Sequence, residues 1–153
     1  MMFKTHLAFA LFIGLLIFNY FDLNIYWFFI LLLIGAGFAD IDMPKSKFGR
    51  KIRPLSNILN FIFGHRKFIH SGLFLLIVGY AFYLFFGDYY IPFLIGYLSH
   101  LVLDSFSKEG INFIYPFRRL EIKGFLKTGS FFEKILFFVF LLLDIFLILI
   151  ILK

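Results

Sequence analysis

Seven residues of metal-binding type stand out in an otherwise greasy chain: His6, Asp40, Asp42, His65, His70, His100 and Asp104. They include all 4 histidines and come from only 9 acidic residues in 153. Imidazole with carboxylate suits zinc first, with manganese and iron as alternatives. With 0 cysteines in the chain, thiolate ligands, thiolate catalysis and disulfides are excluded. His100 and Asp104 are spaced i, i+4, which stacks them on one helix face. His65 and His70 are five apart, so on one continuous helix they diverge, and one of them is expected on a lead-in turn. Asp40-Ile41-Asp42 precedes Met43-Pro44, and a proline disfavours a continuing helix. A turn there can aim both carboxylates inward. The set exceeds the three or four ligands one ion needs, so one or two ions are expected. Two ions a few ångströms apart activate a water and stabilise an in-line phosphoryl displacement. Arg66 beside His65 offers a planar donor fork for a phosphate, and Asp42 is a candidate general base.

The elements that must position these residues are membrane helices. The chain is 62% hydrophobic with 27 Phe, and its mean hydropathy is +0.96. These values lie outside the soluble globular range. We read a single all-α transmembrane domain over 1–153 with about five spans, near 7–21, 23–39, 72–86, 89–103 and 131–152. Only the last has the roughly 20 residues that cross a bilayer comfortably, so the other helices should continue into their polar flanks. The turns at 19–24 and 87–88 are tight enough to close helical hairpins. All but Lys153 of the 15 Lys and Arg residues precede the first span, follow the last motif or lie in the connections at 40–67 and 108–130. The positive-inside rule then puts the N-terminus and both long loops in the cytoplasm of a multi-pass inner (plasma) membrane protein. On that map all seven residues fall at the cytoplasmic ends of the first four spans.

Each residue taken singly has a plainer explanation. A histidine such as His6 at a membrane edge is commonly a tolerated amphipathic residue, and Asp40 and Asp42 could cap a helix. A charge at mid-helix costs about 2.5–3.5 kcal/mol on insertion scales, and it is the shared placement that argues for a site. Asp144 lacks a partner on its own helix and reads as a packing or interhelical hydrogen-bond residue. The net charge of +6 reflects cytoplasmic loops, with no nucleic-acid partner expected. The aromatic and arginine residues of 108–130 suggest a segment at headgroup level that covers the site. The N-terminus lacks the cleavage pattern of a signal peptide.

Five landmarks in order resemble one known family. They are Thr5-His6, Asp40-Ile41-Asp42, His65-Arg66-x3-His70-Ser71, Gly96-Tyr97-Leu98-Ser99-His100-x3-Asp104, and Gly110 with Pro116-Phe117. The chain is similar over residues 5 to 117 to the YdjM-like, LexA-regulated, membrane-bound metal-dependent hydrolases. The last span lies outside those landmarks. The resemblance implies an integral membrane protein with a His/Asp metal site and likeness to zinc-dependent, phospholipase C-like enzymes.

The expected function is therefore metal-dependent hydrolysis, with a phosphoester of a membrane lipid or lipid-linked molecule as substrate. A small metal-ion or proton carrier is the alternative from another class, since intramembrane His and Asp mark ion pathways. A carrier should also place polar residues at mid-membrane and on the far side. A metal-free lipid phosphatase with a histidine nucleophile fits less well, because no Ser-Arg precedes His100 at the required distance. A structural adaptor leaves the common placement unexplained.

Overall fold

Local chemistry sets most helix ends. Asn24 caps the second helix by accepting from the N–H groups of Tyr26 and Trp27, and Ser71 caps the fourth by accepting from Phe74 at 3.2 Å. Gly87 ends the fourth helix at φ +55°, a left-handed backbone that favours glycine. The computed structural model describes the chain except residues 43–49, 52, 64–67, 118 and 119. The helices are α1 (Phe3–Ile17), α2 (Ile25–Phe38), α3 (Arg53–Phe63), α4 (Gly72–Phe86), α5 (Tyr90–Ser105) and α6 (Phe131–Ile151). Short 3-10 turns at Phe18–Tyr20, Ala39–Asp42 and Gly87–Tyr89 join or extend them. The connection after α5 holds a two-stranded antiparallel ladder, β1 (Ile111–Asn112) with β2 (Glu121–Ile122), and a cis Tyr115–Pro116 bond. Among the described residues the regular structure is helical apart from this ladder and one bridge between Ser107 and Leu126. The connection expected between the second and third spans carries helix α3.

Three helical stretches among the described residues are long and apolar enough to cross a membrane: Phe3–Tyr20, Gly72–Ser105 and Phe131–Ile151. The second is itself folded back. Phe82 of α4 stacks on Phe93 of α5 at 3.8 Å, and a Cβ on Gly79 would meet Leu94 at 2.8 Å. A shorter apolar stretch, Ile25–Ile41, packs on the turn after α1 through Phe18 against Phe29 and Phe21 against Phe28.

The core of the bundle is the crossing of α2 and α5. A Cβ on Gly35 would stand 2.1 Å from the Phe93 carbonyl oxygen, and one on Gly96 would stand 1.9 Å from that of Leu32. Backbone meets backbone there, as small residues permit in lipid, where tight packing replaces hydrophobic drive. Ala10, Phe28, Leu32 and Ala36 fill one side of this contact, while Ala39, Tyr97, Leu101 and Ile111 fill the other.

Helix α6 lies along α1 in parallel. Its Phe140 packs on Phe9 and Phe12, and Lys4 sits over the Phe137 ring at 4.5 Å. Phe138, Leu142, Phe146 and Leu149 are exposed, a face suited to lipid. Asp144 falls on the stripe that includes Phe137 and Phe140, and is buried, yet neither carboxylate oxygen has a hydrogen-bond partner among the described residues. It is thus a packing residue without the interhelical hydrogen bond its sequence context suggested. Burying an uncompensated polar group costs roughly 1–3 kcal/mol in mutational data. Asp144→Leu is accordingly expected to raise the thermal midpoint in detergent and leave bound metal unchanged. A lower midpoint would reveal a stabilising role for that carboxyl.

Candidate metal centre

The elements converge at one end of the bundle. His6 lies at the end of the first turn of α1, Asp40 on the 3-10 turn after α2, His70 just ahead of α4, and His100 with Asp104 on the last turns of α5. Each is buried, the three imidazoles completely. His70 occupies the lead-in turn expected for one histidine of its pair. The Tyr97 hydroxyl donates to the Ile69 carbonyl, and the Ser71 hydroxyl donates to that of Phe68 at 2.6 Å, which fixes this turn against α5.

Asp104 is the hub. Its Oδ1 is 3.4 Å from His6 Nε2, and its Oδ2 is 3.5 Å from His70 Nε2 and 3.6 Å from His100 Nε2. The Met1 amino group also approaches Oδ1, at 2.6 Å. The His6 and His100 rings stack at 3.7 Å with only 7° between their planes, and His70 stands 5.4 Å from His100 at 65°. Asp40 Oδ1 lies 3.9 Å from His100 Nε2.

His100 decides the chemistry. Its Nδ1 is 2.7 Å from the Ala36 carbonyl oxygen, which can only accept, so Nδ1 carries the hydrogen. In the neutral ring Nε2 then carries the lone pair, and it faces the carboxylates of Asp104 and Asp40. Electron-rich atoms gathered in this way favour a cation among them, and the Met1 ammonium already meets Asp104 Oδ1 at 2.6 Å. Neither nitrogen of His6, nor Nε2 of His100, has a hydrogen-bond partner among the described residues. Separations of 3.4–3.6 Å exceed a good hydrogen bond. They match ligand atoms sharing one ion, since two ligands each about 2.0–2.1 Å from zinc stand roughly 3.3 Å apart at a tetrahedral angle.

Two overlapping groups have ligand atoms within 4.8 Å of one another: His6, His100 and Asp104, and Asp40, His70 and His100. Buried His and Asp groups here could thus hold a metal ion. His100 belongs to both groups but has one nitrogen left to offer, so they are not two independent sites.

Membership agrees with the architecture. The chain belongs to the YdjM inner membrane protein family, whose model matches residues 1–152. The family match thus runs beyond the five sequence landmarks and through α6. A Bacillus subtilis relative named uncharacterized protein YvsG is 39% identical over 110 residues, covering 67% of this chain and 66% of the relative. Inner membrane protein YdjM of Escherichia coli is 35% identical over 86 residues, covering 52% of this chain and 44% of that protein. The chain therefore matches less than two thirds of each of these relatives. No solved structure matches. Family and apolar helices together make this a membrane protein.

Of the residues expected at the YdjM-family site, His6, Asp40, His70, His100 and Asp104 are brought together. His65 and Arg66 lie outside the described residues, as does the side chain of Asp42, whose backbone closes the 3-10 turn. The segment after α5 packs against the same end. Gly72 N–H donates to the Phe113 carbonyl at 2.8 Å, and Ile111 and Asn112 are buried. The sequence reading missed Glu133, fully buried at the start of α6. Its signal was the Ser130-x-x-Glu133 spacing, a capping-box pattern ahead of an apolar run.

Proposed function

We propose that this protein is a multi-pass membrane hydrolase with about five spans, its N-terminus and its metal centre on the cytoplasmic side. Its substrate class is a phosphoester of a lipid or lipid-linked molecule. The observation that carries the proposal is the convergence of His100 Nε2, its ring oriented by Ala36, with Asp104, Asp40 and two further imidazoles in one buried cluster. His6, His70, His100 and Asp104, with Asp40, would hold a divalent cation, zinc in the first place and manganese or iron otherwise. Bound there, such an ion supplies Lewis acidity and lowers the pKa of a water.

The protein's own residues supply the rest. Asp104 gathers the three imidazoles, and Ala36 sets the orientation of His100. An apolar groove of about 350 Å³ lies beside this end, lined by Leu73, Leu76, Phe113, Ile114, Tyr115 and Phe117. It begins at Gly72, two residues from His70, and suits an acyl chain whose headgroup lies at the centre. Asp42 as general base and Arg66 as phosphate clamp rest on the sequence alone. Among the described residues the buried ionisable groups collect at one end, with Asp144 the exception deeper in α6. That distribution favours an enzyme over a carrier, which needs polar groups along a path.

The test is hydrolysis of bis(p-nitrophenyl) phosphate and of a short-chain phosphatidylcholine by detergent-purified protein loaded with zinc. Turnover that a chelator abolishes, and that His100→Ala lowers by about 100-fold or more, is expected, since even outer-shell partners of a metal are commonly worth 10–100-fold. Equal turnover by the wild type and His100→Ala would contradict it.

A further inference from the structure

Glu133 is a second buried carboxylate at the same end of the bundle, and the proposed chemistry makes no use of it. It comes from α6, 29 residues beyond Asp104 in the chain, and its side chain is inaccessible. Its Oε1 accepts the Met2 N–H at 2.5 Å, and its Oε2 accepts the Gly129 N–H at 2.5 Å. Ser130 caps α6 by accepting from Glu133 N–H at 3.3 Å. One carboxylate thus joins the N-termini of α1 and α6.

Those two helices are parallel, so their positive dipole ends lie side by side, and a buried anion between them offsets the repulsion. It also satisfies the Met2 N–H, the Ncap donor of α1, where no side chain of α1 itself serves as cap. The next turn of α1 is tied directly to this point. Thr5 N–H and His6 N–H both donate to the Met2 carbonyl, at 2.9 and 3.4 Å. His6 is therefore one hydrogen-bonded turn from the residue Glu133 grips, and its ring lies flat on His100.

We infer that Glu133 is a positioning residue for the metal centre: it fixes the first turn of α1 and thereby places His6 against Asp104 and His100. The inference rests on the metal-centre reading above and adds α6 to the site. Glu133 touches neither substrate nor metal in this role. It acts through the backbone of Met2.

Cobalt(II) titration of the full chain in detergent, followed by the visible spectrum, tests it. Glu133→Ala is expected to weaken cobalt binding about tenfold or more and alter the ligand-field bands, in the range seen when outer-shell support is lost. Glu133→Gln should fall between Ala and wild type, since its amide oxygen can still accept one N–H. In a His6→Ala background, Glu133→Ala should change cobalt affinity less than about twofold, the non-additivity expected of residues acting in one chain of contacts. Should Glu133→Ala fail to fold, Glu133→Gln alone carries the comparison, with and without His6. Wild-type affinity and spectrum in the Glu133 variants would overturn the inference and leave the metal centre standing. An undiminished effect in the His6→Ala background would overturn it too, marking Glu133 as a general support of the fold. A wild-type protein that binds no cobalt would remove both the centre and the inference.

Discussion

Asp104→Ala is expected to cost the protein its bound metal, lowering affinity by more than the 10–100-fold typical of outer-shell changes. Among the described residues Asp104 is the carboxylate that faces His6, His70 and His100 together, and both its oxygens take part. Removing it takes away a buried negative charge that draws a cation to the three imidazoles. Asp40 remains in that variant, but its Oδ1 lies 3.9 Å from His100 Nε2, whereas the three imidazoles converge on Asp104. Asp104→Asn should lose less, because one oxygen and the shape remain while the charge does not. Isothermal titration with zinc, beside circular dichroism to show the fold is kept, reads the difference. Equal affinity in wild type and Asp104→Ala would place the metal elsewhere.

Gly96→Val should damage both the fold and the centre. A Cβ at Gly96 would lie 1.9 Å from the Leu32 carbonyl oxygen, which is backbone and cannot rotate away. Helices α2 and α5 must then separate, and overpacking of this kind costs roughly 1–3 kcal/mol, sometimes more. Gly96 lies one turn before His100, so the separation also lengthens the contact between His100 Nδ1 and Ala36 O, now 2.7 Å. The expected result is a lower thermal midpoint together with weaker metal binding. Leu98→Val, on an exposed position of the same helix, should change neither by a comparable amount. A Gly96→Val protein with wild-type midpoint and metal affinity would show that the two helices do not rely on this contact.

The site was legible in the sequence because lipid-facing helices have so little else to say. In a chain of Phe, Leu and Ile, the few imidazoles and carboxylates are conspicuous, and i, i+4 spacing alone aligned His100 with Asp104. Helix α1 begins at Phe3 and α5 ends at Ser105, beyond their apolar runs, whereas α2 stops at Phe38 and a 3-10 turn carries Asp40. Helix faces were a different matter. Helix α2 is apolar all round, so periodicity carries no direction, and the contact it makes with α5 is marked instead by Gly35 and Gly96, whose meaning appears only when two backbones meet. Glu133 was hidden for a similar reason. Its partner, the Met2 N–H, is 131 residues away, and a backbone donor leaves no trace in sequence. Helix α3, within a connection dominated by Lys and Arg, was masked by the charge that pointed to topology.

The most direct test is the metal content of the wild-type protein, measured by elemental mass spectrometry after purification in detergent and reconstitution with zinc, manganese or iron(II). One or two ions per folded chain, retained through gel filtration, is the result these ligands predict. A folded protein that stays metal-free in excess of all three ions would contradict the account, leaving three imidazoles and two carboxylates as membrane-edge polar packing.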